Sequence, residues 1–246
     1  PLSPIQLWYF EEEYAPHTHY CQAVFFDIDK SYDERTLSKA VELLLQQYDS
    51  LRLQFDYRNG SWEQFYEDSS MAWGTIDCKN IDNSVLSSHL ELTGNKLLEG
   101  LHVESNQLVG AWLFETPPFE KYNRLLLGIH HLLIDGVSWR ILAQDLEHIL
   151  MQLGQEGEPS SSLITPKATS YKAWVNGLEE WVAQGEVEKE LTYWKTQLNR
   201  GNPIPIDKKA DNAQWGEVHT ISKTLNKAYT QRLLKDVHAA YRTNMN

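Results

Sequence analysis

The sequence predicts an α/β fold, and three observations lead to that class. Short runs rich in β-branched and aromatic residues alternate along the chain with segments whose apolar residues recur at helical spacing. An Asn-Gly pair between two alternating segments marks a β-hairpin. Hydrophobic residues make up 41% and aromatic residues 11% of the 246 residues, which is enough to fill one large domain or two compact lobes.

The chain is predicted to open with a helix that is followed by a strand. Ser3 and Gln6 have the spacing of a capping box and Pro4 suits a first helical turn, so a helix is expected at residues 5–13. Residues 20–29 hold a dense aromatic and β-branched run that is too short for a helix. We expect that run to form a well-buried strand.

A second helix and a hairpin are predicted next. Ser31 and Glu34 form a second capping box, and the apolar residues that follow keep helical spacing to about residue 49. Asn59-Gly60 is the strongest hairpin turn signal in the chain. The two strands that it joins are expected at residues 51–57 and 62–66.

The same patterns predict the remaining elements. A helix is expected at residues 84–99, and strands are expected at 101–105, 108–116 and 124–129. From Val137 the apolar spacing becomes helical, with Asp135 placed to cap that helix. An exposed connection is expected at 154–166, followed by helices at 170–184, 186–199 and 229–243 and a strand at 219–225.

Charge and composition argue against several classes of protein. A formal net charge of -12, with no run of five or more Lys and Arg, argues against a nucleic-acid partner. No apolar stretch is long enough to span a bilayer and residues 1–10 lack the layout of a signal peptide, so a cytoplasmic protein without membrane contact is expected. Cys21 and Cys78 form no CxxC pair, and they indicate neither a disulfide framework nor a thiolate metal site.

Residues 125–140 carry the strongest chemical signal, because two histidines lie at the elbow between a predicted strand and a predicted helix. Imidazole can accept and release a proton near neutral pH, so this pattern indicates general-base chemistry. Side chains alternate between the faces of extended backbone, so only one of His130 and His131 can face a cleft. Asp135 is expected to cap the helix or to meet an Arg, and Gly136 to relax the backbone at the helix entrance. Consecutive histidines rarely bind one ion, so no metal site is predicted.

At this elbow the sequence resembles a known family. His130-His131-Leu132-Leu133-Ile134-Asp135-Gly136 matches the HHxxxDG motif of non-ribosomal peptide synthetase condensation domains, which belong to the chloramphenicol acetyltransferase-like superfamily. The continuation Val137-Ser138-Trp139 is similar to the epimerization branch, in which the motif runs on as Asp-Gly-Val-Ser-Trp. Further segments that are similar to this branch lie at residues 4–11, 48–55, 170–174, 193–194 and 229–243.

The resemblance implies an architecture and a site. The fold would be a two-layer α+β sandwich, with an acetyltransferase-like lobe of mixed sheet and flanking helices at residues 1–168 and the start of a second lobe at 169–246. His131 would be the catalytic residue and would face a tunnel between the lobes. Arg52 is a possible ion-pair partner of Asp135. The residues that would support His131 are His130, Asp135, Gly136, Ser138 and Trp139.

The resemblance also implies an activity and partners. The activity would be epimerization of an aminoacyl or peptidyl residue, by removal and return of its α-proton. A peptidyl carrier protein would deliver the thioester on 4'-phosphopantetheine, with no cofactor bound directly by this chain. The other partners would be further synthetase modules and the second lobe, which would supply another acid/base group from beyond Asn246, so the chain is expected to be the N-terminal portion of the domain.

Two alternatives stay open. In a condensation domain, His131 would position or deprotonate an acceptor amine that attacks a donor thioester. In a non-catalytic scaffold, the same fold would only dock carrier proteins. The motif at the elbow serves either enzyme, and the Asp-Gly-Val-Ser-Trp continuation favours epimerization.

Overall fold

The computed structural model describes residues 1–11, 20–67, 71–156, 169–200 and 221–243. It divides the chain into two compact units, Pro1–Thr192 and Tyr193–Asn246. The first unit contains every strand of the described residues and the predicted elbow. The division of the domain at residue 168 stays a prediction.

A four-stranded mixed sheet forms the centre of the first unit, with the strand order β1-β6-β5-β4. The strands are β1 (Cys21–Asp29), β2 (Leu53–Arg58), β3 (Ser61–Tyr66), β4 (Ala72–Asp77), β5 (Val109–Glu115) and β6 (Tyr122–His130). β6 pairs antiparallel with β1 and β5, whereas β4 runs parallel to β5. The predicted mixed sheet is therefore confirmed.

The predicted hairpin is also confirmed, as the separate sheet of β2 and β3. Asn59 and Gly60 both have positive φ, 53° and 86°. Those values suit a two-residue turn whose twist matches that of the paired strands, and Asn-Gly is the pair that adopts them most readily.

Seven helices are described: α1 (Pro4–Glu11), α2 (Glu34–Gln47), α3 (Asn83–Leu98), α4 (Ser138–Glu156), α5 (Tyr171–Ala183), α6 (Glu186–Arg200) and α7 (Lys227–Tyr241). One of the two hydrogen bonds of the capping box predicted for α1 is seen: the Ser3 N–H donates to the Gln6 side-chain oxygen at 2.8 Å. Residues 12 and 13 of that predicted helix lie outside the described residues. α6 crosses from the first unit into the second, and α7 belongs to the second.

Helices cover both faces of the sheet because successive residues of β6 point to opposite sides. Leu125, Leu127 and Ile129 are buried in one core with apolar residues of α2 and α4. Leu126 lies in a second core beside Leu86 of α3. Side chains on the two faces of this strand therefore pack against helices on opposite sides of the sheet.

Several predicted details of the first elements are wrong. β1 is not well buried, because it lies at an edge of the sheet and its alternate residues, including Phe25, are exposed. Asp33 rather than Ser31 caps α2, and its carboxylate accepts from the Thr36 N–H at 2.8 Å. That helix ends at Gln47, and a short 3-10 helix follows at Asp49–Arg52.

The segment predicted as a strand at 101–105 contains a 3-10 helix instead, Val103–Ser105. The His102 ring accepts from the Ser105 N–H at 3.2 Å, and Asn106 then turns the chain with a φ of 53°. Local bonds of this kind compete with strand pairing.

β4 was not predicted at all. Gly74 weakens its strand signal, and it pairs with a strand more than thirty residues further along the chain. A β-carbon at Gly74 would lie 3.2 Å from the Trp112 ring, so glycine suits the close packing of these two strands.

Three predictions fail in the second half of the chain. α4 continues to Glu156, past the predicted start of the connection, and the part of that connection from residue 157 to 166 lies outside the described residues. Residues 221–225 have no regular structure, so the strand predicted there is wrong for its described part. Val137 and Ile141 share the predicted apolar face of α4, but both are exposed.

Candidate active site

The elbow is held by backbone hydrogen bonds from both of its sides. The His130 N–H donates to the Leu108 carbonyl at 2.8 Å, and the His131 N–H donates to the Tyr20 carbonyl at 2.7 Å. The Leu133 N–H closes the turn on the His130 carbonyl at 2.9 Å. The end of β6 is therefore fixed before the chain enters α4, and both imidazoles have a defined backbone position.

His130 is a core residue. Its side chain has no exposed surface, and its ring meets the Tyr9 and Tyr20 rings edge to face, with centroid distances of 5.6 and 5.9 Å. Its Nδ1 accepts from the Leu132 N–H at 3.3 Å. The buried ring packs beneath the elbow, so His131 is the histidine of the pair that keeps exposed surface.

His131 is half-buried and has a partner at each ring nitrogen. Its ring stacks on Tyr20, with the centroids 4.9 Å apart and the planes at 19°. Nδ1 lies 2.7 Å from the Ile134 carbonyl oxygen, and Nε2 lies 2.8 Å from the amide nitrogen of Gln22. Because a carbonyl oxygen only accepts, Nδ1 carries the proton, and Nε2 is the atom that can take a proton from a substrate.

Gln22 is the residue of this site that sequence reasoning missed. It lies on β1, opposite Ile129 of β6. Its side-chain oxygen accepts from the Trp139 indole N–H at 2.7 Å. The available signal was a single amide in a strand of mostly apolar residues, and that signal does not identify a partner.

The structure brings Trp139 and Ser138 to the elbow as supporting residues, each with a distinct contact. Trp139 reaches Gln22, while Ser138 donates to Asp135 through its backbone N–H at 2.8 Å and its hydroxyl at 2.6 Å. Asp135 thus caps the turn that leads into α4, as predicted. These hydrogen bonds, chiefly the one from the Ser138 side chain, lower the pKa of Asp135, and His131 lowers it further.

Two other predicted site residues have a different setting from the one expected. The guanidinium of Arg52 lies 6.0 Å from the centre of the Tyr66 ring, and its ion pair with Asp135 stays a prediction. Gly136 is exposed, its φ lies outside the left-handed region, and a β-carbon added there would meet no atom within 4 Å. The backbone freedom of glycine therefore does not explain Gly136, and the prediction that it relaxes the helix entrance is wrong.

The Asp135 turn should respond to acid. The pKa of Asp135 is lowered in the folded protein, so its carboxylate stabilises the turn fully at any pH above the ordinary Asp pKa of about 3.9. This contribution is lost as the pH falls through the lowered pKa. The Ser138 amide resonance, followed by NMR, should therefore shift with a midpoint below about 3.9. In Asp135→Asn this step should be absent, and a midpoint at or above the ordinary value would contradict the assigned hydrogen bonds.

The described residues also form a cleft whose lining does not include the elbow. It is lined by residues that include Leu53, Tyr66, Tyr171 and Val175. The described ranges hold no cluster of three or more His, Cys, Asp or Glu side chains arranged for a metal ion, and the absence of a metal stays a prediction. None of their helices has both the length and the apolar character needed to cross a bilayer.

Comparison with known proteins assigns the family. The family model described as the Condensation domain matches residues 1–246. The chain belongs to the condensation domain family. This assignment confirms the resemblance that the elbow motif predicted.

The condensation-family chain has relatives among large synthases. Over 100% of its length, this chain is 30% identical to subunit 2 of surfactin synthase from Bacillus subtilis. The match covers 7% of the length of that subunit. The crystal structure of the epimerization domain from the third module of tyrocidine synthetase B is 29% identical, with a TM-score of 0.84 over 100% of this chain and 56% of the other.

A more distant structure supports the fold alone. The starter condensation domain of rhizomide synthetase is 14% identical to this chain, with a TM-score of 0.70. The match covers 82% of this chain and 48% of the rhizomide synthetase chain. Together with the TM-score of 0.84 to the epimerization domain, this likeness confirms the α/β fold predicted from the sequence, a mixed sheet flanked by helices.

Proposed function

We propose that this domain epimerizes an aminoacyl or peptidyl residue held as a phosphopantetheine thioester on a carrier protein. The observation that carries the proposal is its similarity to the tyrocidine synthetase epimerization domain, with a TM-score of 0.84 over the whole chain. The Asp-Gly-Val-Ser-Trp continuation at residues 135–139, similar to the epimerization branch, supports the same choice.

The elbow suits the proton transfer that epimerization needs. The Cα–H bond of the thioester residue breaks, its electron pair moves into the carbonyl to form an enolate, and the proton passes to Nε2 of His131. A proton is then added to the opposite face of Cα by a second acid/base group or by water. The His131 ring is partly exposed, so a substrate can approach it. Its stacking on Tyr20 and the hydrogen bond from Nδ1 to the Ile134 carbonyl hold the ring in one orientation for this step.

The proposal includes the partners that the chemistry requires. The thioester is delivered by a peptidyl carrier protein, and the neighbouring synthetase modules supply and consume the carrier-bound residue in the cytoplasm. A second acid/base group or a water is also required, since His131 can serve only one face of the Cα.

Condensation is the second candidate, and the family to which the chain belongs favours it. In that reaction Nε2 of His131 would take the proton from an acceptor amine as it attacks a donor thioester. The hydrogen-bonded His131 ring would serve this step equally well, so geometry at the elbow does not separate the two reactions.

One assay with two reaction mixtures distinguishes epimerization from condensation. The full-length domain is mixed with a carrier protein loaded with one L-aminoacyl or L-peptidyl thioester, first alone and then with a second aminoacyl carrier. We expect the loaded residue to approach a D/L equilibrium in both mixtures without a new amide, as measured by hydrolysis and chiral chromatography. A new amide together with an unchanged L configuration would overturn the epimerase proposal and support condensation.

A further inference from the structure

We propose that Gln22 is the positioning residue of His131, with Trp139 fixing the orientation of its amide. The pair would hold the imidazole as its Nδ1-protonated tautomer and keep the Nε2 lone pair in a fixed direction, towards the Gln22 amide. The inference rests on the proposed function only in taking His131 as the residue that moves the proton. Its structural part concerns which atom of the ring carries hydrogen.

The orientation of the Gln22 amide follows from the chemistry of Trp139. An indole nitrogen can donate a hydrogen bond but cannot accept one. The atom of Gln22 that lies 2.7 Å from the indole must therefore be its oxygen. The other end of the amide, the NH₂ group, is then the end that lies 2.8 Å from Nε2 of His131.

The tautomer of His131 follows from the two groups beside its ring. The Gln22 NH₂ group only donates, so Nε2 must accept and must lack a proton. The Ile134 carbonyl only accepts, so Nδ1 must carry one. Two independent partners, on opposite sides of the ring, thus require the same neutral tautomer.

Three separate elements supply this arrangement. Gln22 comes from β1, Trp139 from the first turn of α4, and His131 from the turn between β6 and α4. The Tyr20 ring stacks against the imidazole and limits its rotation out of the plane of these hydrogen bonds. A chain of donors therefore runs from Trp139 to Gln22, on to His131 and then to the Ile134 carbonyl.

The arrangement has a consequence for proton transfer. A proton on Nε2 would face the NH₂ group of Gln22, and two donors cannot share a hydrogen bond. Rotation of the amide would relieve that conflict but would break the bond from Trp139. Gln22 therefore favours the ring form that is ready to accept a proton, and its NH₂ group must give way when a substrate C–H or N–H approaches Nε2.

The test measures the protonation of the two ring nitrogens directly. In the full-length protein with ¹⁵N-labelled histidine, the His131 shifts at pH 7 should show a protonated Nδ1 and an unprotonated Nε2. Gln22→Glu replaces the donor by an isosteric acceptor, so both nitrogens should become protonated. Asn83→Asp, which adds the same charge at the exposed start of α3, is the matched control and should leave the His131 shifts unchanged.

Kinetics provide a second measurement. Gln22→Met should lower kcat by about 10- to 100-fold with little change in KM, because the ring loses its positioning partner while the substrate still binds. Gln22→Glu should lower kcat by a similar factor, because a proton on Nε2 leaves that atom unable to accept one from the substrate. Trp139→Phe should act in the same direction and less strongly, since Gln22 can still donate after losing its orienting partner.

Two results would overturn the proposal: a protonated Nε2 in the unsubstituted protein, or unchanged His131 shifts in a folded Gln22→Glu variant. Folding of each variant is checked by the dispersion of its amide spectrum. The shifts do not depend on which reaction the domain performs. A domain that forms amides instead of D-residues would therefore refute epimerization and leave the role of Gln22 standing.

Discussion

His131→Ala is expected to lower the rate of α-proton exchange in a carrier-bound residue by about 10²- to 10⁴-fold, the usual contribution of a positioned general base. The variant loses Nε2, the ring atom that can accept the proton, while the backbone bond to Tyr20 that holds the elbow is retained. Exchange is measured as deuterium incorporation from D₂O into the loaded residue, followed by mass spectrometry of the released product.

The control for this replacement is His89→Ala, which removes an imidazole of similar partial exposure from α3, away from the elbow. It should exchange at the unsubstituted rate, and both variants should bind loaded carrier with unchanged affinity. If His131→Ala also exchanged at the unsubstituted rate, the acid/base role of His131 would be wrong. If that shared rate were no faster than exchange without the domain, the domain would be a carrier-docking scaffold.

The elbow could be predicted from the sequence because its signals are local. Strand alternation separates the buried His130 from the half-buried His131. The Asp135 carboxylate caps its own turn three residues further on. Each of these features depends on neighbours within a few positions, so the periodicity of strand and helix was sufficient to find it.

The partners of His131 could not be predicted, because they are distant in the chain. Gln22 lies 109 positions before His131 and 117 before Trp139. Only the antiparallel register of β1 and β6 brings the amide to the ring. Single-sequence patterns contain no such register, which is also why β4, paired in parallel with β5, was missed.

Asp49 is a further residue whose role depends on distant contacts. The sequence pattern placed it at the end of a helix, whereas the structure buries it at the start of a 3-10 helix, 8% exposed. Its carboxylate accepts from the Tyr66 hydroxyl and, at 2.8 Å, from the Tyr171 N–H. Burial, followed by this hydrogen bond, raises the pKa of Tyr66 to about 12.

Asp49→Ala should therefore lower the free energy of unfolding by roughly 2–4 kcal/mol, because a tyrosine hydroxyl and the first N–H of α5 both lose a buried carboxylate as their acceptor in a partly buried setting. The Lys172 N–H, which donates to the Tyr66 hydroxyl at 3.0 Å, depends on the same arrangement. Urea unfolding of the full-length domain measures the loss. Hydrogen exchange should speed up most at the Tyr171 and Lys172 amides, at the start of α5.

Tyr171→Phe is the matched control, since it removes only the bond from the Tyr171 hydroxyl to Ser3, which is 3.0 Å long. It should cost about 1 kcal/mol and leave the backbone contact to Asp49 in place. A loss for Asp49→Ala no larger than that of the control would mean that packing, chiefly of the buried Val175, holds α5 in the first unit without the carboxylate. The exchange data separate the two cases, because packing alone would leave the Tyr171 amide as protected as before.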